Sequence, residues 1–270
     1  MIHQSATTDG PRSVYCCAEH IEPQPPDYPG THVGLLVDHH VAGTECFGGV
    51  VAIGEYIPLH YHPVFEFQYV LQGTGLALDA KGREIPIAPG GAVLSPAGPS
   101  GAHGFRNTGA VALEILFLYP SREGKPPGRT AFEGVGTAPA GPLSVYRPPQ
   151  GLAPQPPDYP GTQVGLLVDH TVAGTECFGG IVSIQDHIPL HYHPVFEFQY
   201  VLSGTGVALD SRGVEVAIAP GGAVLSPAGP SGAHGFRNTG ATPLKILFLY
   251  PSPDGRPPGR TAYEVPRSEA

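Results

Sequence analysis

The sequence predicts an all-β protein built as two copies of one fold. Three observations point there. Gly 38 and Pro 33 in 270 residues lie far above ordinary usage, and a chain so rich in turn formers builds short strands rather than long helices. Short apolar runs recur between Gly-, Pro- and Asn-containing turns, which is the spacing of a sandwich or barrel. The chain also repeats itself: HYHPVFEFQYVL stands at His60–Leu71 and again, letter for letter, at His191–Leu202.

The repetition extends well beyond that stretch. Ser13-Val14-Tyr15 returns as Ser144-Val145-Tyr146, PQPPDYPGT begins at Pro23 and Pro154, and GRTA begins at Gly128 and Gly259. Each pair shares the displacement of 131 positions that takes His60 to His191, without insertion or deletion between Ser13 and Tyr263. Roughly four-fifths of the aligned positions are identical. A period this long exceeds a solenoid unit and matches a whole small domain. The expected division is a tail at 1–12, a first domain at 13–143 and a second at 144–270, with a Pro/Gly/Ala junction near 134–142.

Within the first copy the expected strands are, in order, Val33–Val37, Val50–Ile53, Phe65–Leu71, Gly75–Leu78, Ile85–Ile87, Ala92–Leu94 and Leu113–Leu118. A further strand starts at His103. Gly73-Thr74-Gly75 and Ala80-Lys81-Gly82 read as hairpin connections, and Pro89-Gly90-Gly91 as the turn before a strand.

Composition excludes several classes of partner. A net charge of −9 with no basic stripe argues against nucleic acid. No apolar run approaches the ~20 residues of a membrane-spanning helix, and MIHQSATTDG at the N-terminus lacks the basic and apolar regions of a signal peptide. The four cysteines (Cys16, Cys17, Cys46 and Cys177) do not form a disulfide framework. Cys46 and Cys177 read as buried apolar fillers, and the whole as a reduced, cytoplasmic protein.

The repeated stretch carries a metal-ligand pattern. Residues i and i+2 of a strand point to one face, so His60 and His62 project together. Glu66 keeps that parity across a bend at Pro63, and His103 opens a neighbouring strand. His191, His193, Glu197 and His234 repeat the set. Three imidazoles and a carboxylate suit a divalent transition metal such as Fe(II), Mn, Ni, Cu or Zn, two ions per chain, with Fe(II) foremost.

The frame around these residues strongly resembles the two conserved motifs of the cupin superfamily. The first is Gly54, His60-x-His62, Glu66 and Gly73; the second is Gly90, Pro96-Ala97-Gly98, His103 and Asn107. Two departures stand out. Four residues separate Gly98 from His103, and Gly229 from His234, where the family usually has two. Gln185 replaces the first motif glycine in the second copy. The resemblance implies two tandem jelly-roll (double-stranded β-helix) barrels, a bicupin, with a metal held inside each by the four side chains.

Strand parity then predicts the pocket lining: Gln68 and Gln199, Phe105 and Phe236, Asn107, and the variable pair Tyr56 and His187. The last pair would give the C-terminal site an extra ionisation near neutral pH. No Lys or Arg falls on a predicted inner strand face, which favours a neutral or singly charged substrate. The function expected is that of a metal-dependent oxygenase acting on a small enol, diol or keto compound, with dioxygen as co-substrate and Glu66 and Glu197 as catalytic bases. The alternatives are a redox-neutral decarboxylase, isomerase or cyclase, and a non-catalytic storage or sensor protein. A homo-oligomer is compatible with either class.

Overall fold

The structure is a computed structural model, and it describes residues 10–16, 23–24, 30–135, 140–154 and 161–266. Cys17, most of the 1–12 tail and the centre of the 134–142 junction lie outside these residues. Among the described residues there is no α-helix, and no helix is long and apolar enough to cross a membrane.

Each copy folds as two antiparallel sheets packed face to face, a jelly roll. In the first copy a five-stranded sheet runs in the order Thr130–Ala131, Tyr56–Tyr61, His103–Asn107, Gly75–Asp79, Glu84–Ile87. Opposite it lies a seven-stranded sheet in the order Val145–Arg147, Ala92–Ser95, Glu66–Gln72, Leu113–Pro120, Cys46–Ile53, Thr31–Val37, Pro23–Gln24. The second copy repeats both sheets. Gly73 and Gly82 take φ of +80° and +75° at the two hairpin turns, a region closed to most side chains.

One strand of each seven-stranded sheet comes from the other copy. Val145–Arg147 pairs with Ala92–Ser95 of the first copy, and Val14–Cys16 with Ala223–Ser226 of the second. The copies are contiguous in sequence, yet in space they exchange an edge.

The burial pattern of Glu66–Gln72 shows why each barrel borders two cores, its own interior and one shared with the other copy. Glu66 through Val70 are all buried, although alternate residues point to opposite faces. Val70 faces inward and joins Ile53, Phe105, Ile115 and Phe117 in the barrel core. Phe67 and Tyr69 face outward and join Leu116, Leu118, Phe196, Phe198 and Leu249 in a core shared by both copies. A strand buried on both faces reads as a continuous apolar run, as EFQYVL does. Cys46 and Cys177 sit in this shared core, unbridged, and burial pushes both thiols above their ordinary range.

Candidate metal centres

The four expected ligands of each copy converge inside its barrel. His60, His62, Glu66 and His103 are 1–5% exposed, and His191, His193, Glu197 and His234 are 1–6% exposed. The ligand atoms of each set all lie within 4.8 Å of one another. Glu66 Oε2 is 2.7 Å from His103 Nε2 and 3.2 Å from His62 Nε2; the second copy gives 2.8 and 3.3 Å. Ligands about 2.1 Å from a central ion sit roughly 3 to 4.2 Å apart. The 3.2 and 3.3 Å separations fall in that range, and 2.7 and 2.8 Å lie just short of it.

Backbone carbonyls fix the imidazole tautomers. His60 Nδ1 lies 2.8 Å from Pro58 O, His62 Nδ1 2.6 Å from Gly128 O, and His103 Nδ1 3.0 Å from Gly101 O. His191, His193 and His234 repeat these contacts with Pro189, Gly259 and Gly232. A carbonyl oxygen only accepts, so each Nδ1 carries the proton and each neutral ring turns an Nε2 lone pair to the centre. Three lone pairs and a carboxylate facing one another out of water repel unless a cation sits among them. Glu66 Oε2 and His103 Nε2, with Glu197 Oε2 and His234 Nε2, also find no hydrogen-bond partner although they are buried. The residues therefore fit a divalent metal in each copy.

Electrostatics agree. Burial alone would raise the Glu66 carboxyl, but the imidazoles of His103 and His62 outweigh it and hold Glu66 well below the usual carboxylate range. Burial, reinforced by His103, pushes His60 down to about 3, so that ring stays neutral. Burial pulls His62 down too, but the neighbouring Glu66 carboxylate wins and raises it.

The longer loop before His103 does not displace the third histidine. Pro99–Gly101 forms a 3₁₀ turn whose Gly101 carbonyl accepts from His103, and Gly98 N–H donates to His62 O at 2.8 Å. A Cβ on Gly101 would come 1.8 Å from Pro96 O, so only glycine permits this turn.

Gln68, Gln199, Phe105 and Phe236 line the cavities above the quartets, as parity predicts. Tyr56 and His187 do not. Tyr56 is 54% exposed, and the exposed His187 side chain pairs with Asp186 at 2.9 Å. The cause is a bulge. Pairing between the two central strands steps from His103↔His60 to Phe105↔Ile57, placing an extra residue on the Tyr56–Tyr61 strand. The bulge beside Pro58 turns Ile57 inward and Tyr56 outward, and Ile188 and His187 follow suit. The extra ionisation expected of the C-terminal site loses its structural basis. Asn107 is also outside the cavity: its amide donates to Gly54 O and Val111 O and ties two loops together.

Two further pairs of residues line the sites. Tyr119 and Tyr250 place their hydroxyls 3.2 Å from His62 Nε2 and His193 Nε2. Parity from Ile115 and Phe117 reaches Tyr119 one step past the expected strand end. Arg129 and Arg260 stand at the cavity mouths, on the loops of the repeated PPGR segments. The expectation concerned strand faces, where no Lys or Arg was placed; the cation at each site comes instead from a loop, which strand parity does not sample. The remaining walls are largely apolar, including Val33, Leu35, Phe47, Val51, Ile57 and Phe117, around cavities of about 530 Å³ in the first copy and 430 Å³ in the second.

No curated protein sequence matches the chain. Among solved structures, a Lactobacillus farciminis oxalate decarboxylase formate complex superposes with a TM-score of 0.66 at 16% identity, covering 92% of this chain and 88% of that one. A mutant of Bacillus subtilis oxalate decarboxylase OxdC gives a TM-score of 0.66 at 15% identity, over 97% of this chain and 81% of that one. These likenesses show a shared two-barrel fold. The family model for the Cupin domain matches residues 49–119 and 181–250, more than half of the chain and once in each copy. The protein belongs to the cupin family, as a tandem bicupin.

Proposed function

We propose that the protein is a metal-dependent enzyme that removes a carboxylate from a small acid with an apolar body. The observation that carries this reading is a single arginine, Arg129 or Arg260, at the mouth of an otherwise apolar cavity floored by a metal quartet. A guanidinium matches a carboxylate in charge and fork geometry. The shared fold with oxalate decarboxylases supports carboxylate chemistry, while cavities of about 530 and 430 Å³ have room for more than a two-carbon diacid.

The quartet is the place for a divalent ion, which supplies Lewis acidity toward substrate oxygens. Arg129 pairs with an anionic end of the substrate. Gln68 Oε1 accepts from the Ser95 hydroxyl at 3.2 Å, leaving its buried Nε2 without a partner and available to a substrate oxygen. When the bond to the carboxylate carbon breaks, its electron pair stays on the neighbouring atom and carbon dioxide leaves. The Tyr119 hydroxyl, at the edge of the quartet, is placed to deliver the proton that the neighbouring atom then needs. Glu66 and Glu197, held in the ionised form, serve better as ligands than as bases.

Oxygenase chemistry is the second reading. It is favoured by the apolar walls, which would admit dioxygen, and by a set of three histidines and a glutamate that would hold a redox-active divalent ion. Metal-loaded protein assayed against a panel of 2-oxo and aryl-substituted acids separates the two. Carbon dioxide release without oxygen uptake is the expected result; stoichiometric oxygen uptake would favour the second reading, and tight binding without turnover would overturn both. Arg129→Ala with Arg260→Ala is expected to raise KM for the acid about 10- to 100-fold, the worth of a charged hydrogen bond, with a smaller effect on kcat.

A further inference from the structure

We propose that each metal centre is held in position by side chains of the opposite copy, so that the two sites are built reciprocally. The inference rests on the metal-binding reading alone, not on the reaction. Phe65, fully buried and directly before the ligand Glu66, donates its backbone N–H to Glu176 Oε2 of the second copy at 2.9 Å. Phe196, directly before Glu197, donates to Glu45 Oε2 of the first copy at 2.8 Å. These bonds span 111 and 151 positions of sequence. A buried backbone N–H needs an acceptor, and neither finds it within its own copy.

A second connection reaches the same sites by the exchanged strands. Ser144, just before Val145–Arg147, is 4% exposed and donates to Gly101 O at 2.9 Å. Gly101 O is the same carbonyl that fixes the His103 tautomer. Ser144 Oγ also lies 3.2 Å from Ser95 Oγ, whose hydroxyl holds Gln68. Ser13 repeats this on Gly232 O and Ser226 Oγ in the second barrel. Two ligands of the N-terminal quartet, Glu66 and His103, therefore rest on Glu176 and Ser144, and Glu197 and His234 rest on Glu45 and Ser13. All four are positioning residues; none lines the cavity above either quartet.

The test uses full-length chains with one quartet disabled, His193→Ala to report the N-terminal site and His62→Ala to report the C-terminal one. Affinity for Mn(II) is measured by competition with a chelating indicator. Glu176→Ala is expected to weaken the N-terminal site about 10-fold or more, the usual cost of losing a partner behind a ligand, and to leave the C-terminal site within about twofold. Glu45→Ala should do the reverse. Glu176→Gln, which keeps an oxygen acceptor for Phe65, should restore most of the affinity. Glu176→Ala placed in the His62→Ala chain, where only the C-terminal site remains, doubles as a check on folding, and Ser144→Ala supplies the same crossed comparison where Glu176→Ala does not yield folded protein. An effect confined to the mutated copy's own site, an equal effect on both sites, or no effect on either would overturn the proposal. Absence of Mn(II) binding by the single-site parent chains would instead count against the metal reading itself.

Discussion

A chain carrying His62→Ala is expected to hold one metal ion where the intact chain holds two, and His62→Ala with His193→Ala to hold none. His62 brings a lone pair at Nε2, fixed by Gly128 O, into a site from which water is nearly excluded. Alanine removes the donor without offering another, and leaves Glu66 facing two imidazoles. The loss exceeds that of an outer partner, so affinity at that site should fall about a hundredfold or more. The second quartet, in its own barrel, should keep its ion. Elemental analysis after exhaustive dialysis reads the stoichiometry directly, and two retained ions in the double variant would remove the basis of the assignment.

Removal of the metal is expected to cost the fold heavily. A ligand bound only by the folded state adds about 4 kcal/mol at a free concentration a thousandfold above Kd. In a chain of this size that moves Tm by roughly 10 °C for each site that unfolds with it. The core shared by Phe67, Leu116, Phe198 and Leu249 joins the two barrels, so both sites should contribute to one transition. Scanning calorimetry of chelated and reloaded protein makes the measurement. Melting temperatures within about 2 °C of each other would mean that the quartets are satisfied without an ion.

Much of this was legible in the sequence because it depends on local rules. Exact repetition revealed two copies, and the turn glycines with short apolar runs revealed all-β barrels. Parity along a regular strand placed Gln68 beside Glu66 correctly. Parity failed at Tyr56 because a bulge beside Pro58 inserts one residue between that side chain and His60. Such an insertion depends on the partner strand and leaves no mark in the local pattern. Arg129 was missed for a related reason: it sits on a loop, and only the exact repetition of PPGR at 126–129 and 257–260 hinted that the loop mattered. The exchange of edge strands, and with it the reach of Ser144 and Glu176 across the copies, was invisible because an internal repeat does not say which sheet a strand joins.

The central claim is that two ions sit inside the barrels on the Nε2 atoms of three histidines and one glutamate carboxylate. Anomalous diffraction from crystals of Mn(II)-loaded protein tests it most directly. Two peaks per chain are predicted, one within coordination distance of His60, His62, Glu66 and His103 and one of His191, His193, Glu197 and His234. Peaks confined to other positions, such as the surface group Asp38, His39 and His40, with both quartets empty under saturating metal, would contradict it.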